Sequence, residues 1–215
     1  MERWVLLRKG ADFEAIGKKY QISPRLACLI RNRDVIGEEA IERYLNGTIS
    51  DLYDGMLMKD ADKAIDILKE KIAEEKKIRV IGDYDIDGVN ATYILLEGLE
   101  RLGAYVDSDI PDRIGDGYGL NRHLIDRSYD AGIDTIITCD NGIAAANEIA
   151  YGKELGMTII VTDHHEIPFD EIDGEKIYRL PPADAVIDPK QKDCVYPFKG
   201  LCGAAVAYTL MDALW

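Results

Sequence analysis

IRVIGDYDIDG, residues 78–88, decides how this chain is read. Ile78, Val80 and Ile81 make a short β-branched apolar run that ends at Gly82, which is a strand signal. Asp83, Asp85 and Asp87 follow in steps of two, and Gly88 then opens the helical stretch VNATYILLEGLERLG. The same unit recurs downstream: AYVDSDI (104–110) before NRHLIDRSYDAG, DTIITC (134–139) before AAANEIAYGKELG, and then TIIVT (158–162). Strand and helix alternating at this spacing require crossover connections, and hence a parallel sheet. Strands that are apolar on both faces fit a sheet covered on both sides. The expected fold is therefore α/β, a mostly parallel sheet with helices on both faces.

Upstream of this core, DADKAIDILKEKIAEE (60–75) reads as an amphipathic helix, with Asp60 as its N-cap candidate. The first 50 or so residues read as short helices: Pro24 stands at a helix start, and GEEAIERYLNG carries acidic residues in its first turn and Gly47 as a stop. The expected domains are a helical segment over 1–55 and the α/β domain over 56–215. Downstream, residues 166–184 read as an irregular excursion before AVID, and LCGAAVAYTLMDALW as a final helix.

At 47% hydrophobic and 31% charged, 215 residues suffice for one sizeable core. The amino terminus lacks the uninterrupted apolar core of a signal peptide, and no apolar run approaches the ~18 residues of a membrane span. A cytoplasmic protein without a membrane partner is the expectation. Cys28, Cys139, Cys194 and Cys202 show no zinc spacing and read as reduced structural thiols. The net charge of −14 argues weakly against nucleic acid, because a cluster of carboxylates that holds cations would itself be acidic.

Acidic residues follow three of the β-runs: Asp83, Asp85 and Asp87 after the first, Asp140 after DTIITC, and Asp163 with His164 and His165 after TIIVT. In open α/β sheets the carboxyl ends of the strands form the ligand crevice. Carboxylates gathered there repel unless protons or cations intervene, and oxygen and imidazole ligands suit manganese or magnesium. Each cluster also has a plain structural reading. A lone strand-end aspartate is commonly a helix N-cap. Asp83-x-Asp85-x-Asp87-Gly88 matches half of an EF-hand loop, but position twelve is Ile94 where that loop needs Glu, and a strand precedes it. The conjunction of three clusters, one holding two of the chain's three histidines, favours a metal site. His123 stands outside it.

With those residues in view, the sequence resembles the DHH phosphoesterase superfamily, whose signature stands at Asp163-His164-His165, and within it the RecJ-type exonuclease family. The resemblance rests on GDYDIDG (82–88), CDNGI (139–143), TDHH (162–165), IPDR (110–113), GYGL (117–120), PPADAVIDPK (181–190) and LCGAAVAY (201–208). It implies two divalent cations, Mn2+ or Mg2+, held by Asp85, Asp87, Asp140 and His164, with Asp140 between them. It implies further that Asp83 and Asp163 orient ligands, that His165 faces the scissile phosphate, and that Arg113 contacts phosphate. The implied activity is 5′-to-3′ hydrolysis of single-stranded DNA in recombination and repair. Oligoribonucleases and cyclic-dinucleotide hydrolases of the superfamily place a histidine where Ile81 stands here, and silent scaffolds lose metal residues that are present here. The family's fourth motif and its C-terminal DHHA1-like domain have no counterpart, so these 215 residues alone are expected to be weak or inactive.

Overall fold

The computed structural model describes residues 9–112, 119–172 and 174–215. Two compact units divide the chain, Met1–Leu52 and Tyr53–Trp215. In the first, three α-helices follow one another among the described residues: α1 (Phe13–Tyr20), α2 (Pro24–Asn32) and α3 (Glu38–Asn46). Asp12 accepts the Ala15 N–H at 2.9 Å and Ser23 accepts the Leu26 N–H at 3.2 Å, so a side chain satisfies an otherwise orphaned donor at the start of α1 and α2. Gly47 closes α3.

The second unit begins with α4 (Ala61–Ala73) and β1 (Lys77–Ile81), then α5 (Ile86–Arg101), β2 (Tyr105–Asp109), α6 (Arg122–Asp130) and β3 (Thr135–Cys139). It continues through α7 (Ala146–Glu154), β4 (Thr158–Thr162), β5 (Phe169–Ile172), β6 (Glu175–Tyr178), β7 (Ala185–Ile187) and α8 (Gly203–Leu214). Five strands form one parallel sheet in the order β2-β1-β3-β4-β7. Alternate residues of each central strand enter opposite cores, as the pleat requires. Ile78, Val80, Ile137, Cys139, Ile160 and Ile187 pack with α4, α5 and α8, whereas Ile81, Ile136, Ile159 and Val161 pack with α6 and α7. The sheet is thus covered on both faces, in agreement with the α/β expectation.

Three local features depart from it. The segment read as irregular holds an antiparallel hairpin, β5 against β6, with Ile172 opposite Glu175 and Gly174 at φ +82° in the turn. The Asp-Gly pair at 173–174 is the signal for such a turn. Phe169, Ile172, Ile177 and Tyr178 stay exposed, so no buried face accompanies it. Secondly, β7 is a three-residue strand, too short to carry a periodic pattern. Thirdly, Asp60 occupies the N-cap position of α4 at φ +60° but makes no cap bond. Its carboxylate instead accepts the Val186 N–H at 3.1 Å, which covers part of the sheet edge. No helix among the described residues is long and apolar enough to cross a membrane.

Candidate metal centre

The strand order sets β1, β3, β4 and β7 side by side, so the residues that leave their carboxyl ends are neighbours. Register carries this out in detail: the Asp140 N–H reaches Thr162 O at 3.1 Å, and the Asp163 N–H reaches Ile187 O at 3.0 Å. Asp83, Asp85 and Asp140 can offer ligand atoms that all lie within 4.8 Å of one another, and so can Asp140, His164 and His165. Asp140 is common to both groups.

Asp140 has an unusual backbone, φ +59°, a left-handed conformation that Asp and Asn adopt more readily than other non-glycine residues. That turn points a nearly buried carboxyl back into the crevice. Its Oδ1 meets no donor in hydrogen-bonding geometry and lies 3.0 Å from His164 Nε2. Burial, followed by the charges of Asp87 and Asp85, pushes the Asp140 carboxyl up to about 7. Asp83, 1% exposed, is likewise raised by burial, and its Oδ1 is also without a donor. Buried acceptors without donors are uncommon in native proteins and call for a proton, water or ion.

Asp85 satisfies the plain reading and the sharper one together. Its Oδ1 caps α5, accepting from Asp87 N at 2.8 Å and Gly88 N at 3.0 Å, while the side chain stays within the acidic group. Asp87 is engaged differently. Its two oxygens accept the Gly203 and Ala204 N–H groups at 2.7 and 2.8 Å, so it anchors the N-terminus of α8. Burial raises this carboxyl, but those two N–H groups and the Cys202 thiol more than offset it, and the net position is lowered. Asp87 Oδ2 stands 3.5 Å from His164 Nε2, and the residue falls in neither of the two mutually close groups.

Asp163 is buried and fully committed. Oδ1 accepts from His164 N, His165 N and His165 Nδ1 at 2.7, 3.1 and 2.7 Å, and Oδ2 accepts from Ile143 N at 2.9 Å. Burial raises it, yet these donors prevail and hold it below the ordinary carboxylate range. The partnership raises His165 to about 8, with its hydrogen bond to Asp163 the main cause. Seven of the eight site residues expected from the sequence therefore gather at one edge of the sheet. The eighth, Arg113, lies outside the described residues. His123 sits in the first turn of α6, outside both groups.

Two participants lacked a sequence argument. Gly203 lies so close that a Cβ there would meet Asp140 Oδ1 at 2.6 Å. Asp188 follows β7 as the other acids follow their strands; it is wholly buried, and burial raises it to about 7. The run AVI-D carries the same strand-end signal as the other three. A cavity of about 470 Å3 adjoins His165 and is lined also by Leu120, Asn121, Asn141, Ile143 and Glu148. A larger cleft, about 690 Å3, lies at the opposite ends of the strands around Lys77 and Tyr105, remote from every potential ligand group among the described residues.

Residues 77–214 match the DHH family, N-terminal domain. The chain belongs to the DHH family. Among its relatives, the single-stranded-DNA-specific exonuclease RecJ of Bacillus subtilis is 39% identical over 213 residues, which cover 99% of this chain and 26% of that protein. RecJ of Escherichia coli is 33% identical, covering 100% of this chain and 35% of that protein. Thermus thermophilus RecJ, solved in complex with Mn2+, superposes with a TM-score of 0.68 at 28% identity, covering 99% of this DHH-family chain and 28% of that one. The chain spans about a quarter to a third of the length of these relatives.

Proposed function

We propose that this DHH-family chain is the metal-dependent phosphodiesterase domain of a RecJ-like exonuclease that degrades single-stranded DNA from its 5′ end in recombination and repair. The observation that carries the reading is the convergence at Asp140: three strand ends deliver acids there, Asp83 Oδ1 is buried without a donor, and Asp140 Oδ1 is buried outside any aligned hydrogen bond, 3.0 Å from the His164 ring nitrogen. An all-oxygen-and-imidazole donor set of this kind fits Mn2+ or Mg2+. Asp85, Asp87, Asp140 and His164 would hold two such ions, with Asp83 beside them as an orienting group. The ions would supply Lewis-acid activation of water and neutralise charge on the phosphate.

The chain's own residues do the rest. Asp163 fixes the His165 ring through Nδ1 and favours its charged form, so His165 is suited to face the scissile phosphate and hold a proton toward its oxygens. Asp87 ties the α8 N-terminus to the site, which fixes the carboxylate's direction. Arg113 is proposed as a further phosphate contact. Duplex exclusion, and much of the backbone binding, are assigned to parts of the whole protein outside these residues. Its place of action is proposed to be the cytoplasm.

The test is hydrolysis by the complete protein of 5′-labelled single strands against duplex of the same sequence, with Mn2+ titrated. Strong preference for single strands, abolished by chelation, is expected. Metal-independent hydrolysis, or equal rates on duplex, would overturn the proposal.

A further inference from the structure

On the function proposed above the acidic site admits a polyanion, and the turn after β7 carries a cation near it. After Ile187 the chain turns through Asp188-Pro189-Lys190-Gln191, and three hydrogen bonds within residues 186–191 hold that turn. Asp188 Oδ1 accepts the Lys190 N–H at 2.7 Å, and Asp188 O accepts the Gln191 N–H at 3.2 Å. Gln191, 2% exposed, donates from Nε2 to Val186 O at 2.6 Å. Because β7 pairs with β4, this rigid turn stands beside Asp163 and His165. Lys190 Nζ lies 3.0 Å from Glu166 Oε1, one residue past His165. The lysine side chain is 27% exposed and the glutamate 88%. Lys190 also acts electrostatically on His165, in the sense opposite to Asp163 and Asp140.

We propose that Lys190 contacts a backbone phosphate of the single strand at the rim of the metal centre, exchanging Glu166 for that phosphate as the strand enters. The inference rests on the function proposed above. Its physical basis is threefold. The ammonium is a compact point charge suited to phosphate. Its backbone is held by Asp188, so only the side chain is left to be ordered on binding. Its present partner is solvent-exposed, and an ion pair of that kind is worth little to break. Glu166 then acts as a counter-ion that competes with substrate.

The test uses the complete protein with single-stranded oligothymidylate, binding followed by anisotropy between about 50 and 300 mM salt, alongside steady-state kinetics. Loss of one phosphate contact lowers the slope of log K against log salt by about 0.7. K190A should show that change, a KM raised about 3- to 10-fold and kcat within about twofold of the parent, and K190R should restore most of the loss. E166Q should tighten binding about 2-fold. An unchanged slope and KM in K190A, or a fall in kcat alone, overturns the inference while single-strand hydrolysis by the parent leaves the proposed function standing. A parent that neither binds nor cuts single strands overturns both.

Discussion

Asp140 combines three costs: positive φ, burial, and an acceptor oxygen in no aligned hydrogen bond. Strain of this sort persists where the surroundings over-determine it, and such positions cluster at functional sites. Asparagine tolerates the same backbone and keeps the shape while removing the charge. Asp140→Asn should therefore lower nuclease rate by at least about 100-fold at saturating Mn2+, beyond the 10–100-fold typical of residues that merely support a ligand. Above about pH 7, where this carboxyl is charged, its melting temperature without metal should stay equal or rise, because one repelling charge is gone. An active Asp140→Asn protein would remove Asp140 from the metal centre. His123→Ala, outside both acidic groups, should keep near-parental rate. Metal binding should also tighten between pH 6 and 8: Asp140, displaced to about 7, must lose its proton to act as a ligand. Isothermal titration in two buffers of different ionisation enthalpy would count that proton, and a pH-independent affinity would contradict the assignment.

At the scale of the element, α8 is the piece on which the site closes. Its first two N–H groups rest on Asp87, a favourable anion at a helix N-terminus, and its glycine lies against Asp140. A methyl at position 203 has no room, since Asp140 Oδ1, Cβ and Cγ would stand 2.6 to 2.8 Å away. Gly203→Ala should thus cost about 1–3 kcal/mol in urea unfolding, the range for overpacking, and should weaken metal binding together with stability. Loss of stability with unaltered metal affinity would separate α8 from the site. The run LCGAAVAYTLMDALW announces this helix plainly. Its partner does not appear there, because the Asp87 contact spans 116 residues of chain. The β5–β6 hairpin was hidden for the opposite reason: its strands are four residues long and bury no consistent face, so only the Asp-Gly pair in the sequence marks them.

For the whole molecule, the gathered charges tie stability to pH. Asp140 and Asp188 are each raised to about 7, and His165 to about 8. A group raised above its unfolded value keeps the folded state more protonated. Its stabilisation is complete below the unfolded value and is lost as pH rises through the folded one. For the two aspartates that window runs from about 4 to 7, and for the histidine from about 6.5 to 8. Asp163 has the reverse sign: its lowered carboxyl contributes above the unfolded value and fails in acid. The metal-free protein should therefore lose several degrees of melting temperature between about pH 5.5 and 8, and saturating Mn2+ should reverse the loss, since ligand binding stabilises the state it binds. A melting temperature that is flat over that range without metal would argue against the buried acidic cluster.

The α/β class was legible in the residues themselves because strand and helix signals are local: β-branched runs of five residues, spaced by helical stretches, leave few topologies open. The acids at 83–87, 140 and 163 were legible for the same reason, each lying directly after its own strand. Tertiary structure alone decided how those acids divide the work. Asp85 caps a helix with one oxygen, Asp87 is turned toward α8, Asp163 is saturated by four hydrogen bonds, and Asp140 is left with an oxygen outside any aligned hydrogen bond, beside the His164 ring. The same holds for Gly203 and for Asp188 with its Lys190 turn, whose positions depend on which strands lie side by side. A residue's type states which bonds it can make, but burial and the arrival of distant backbone groups determine which of them remain unmade.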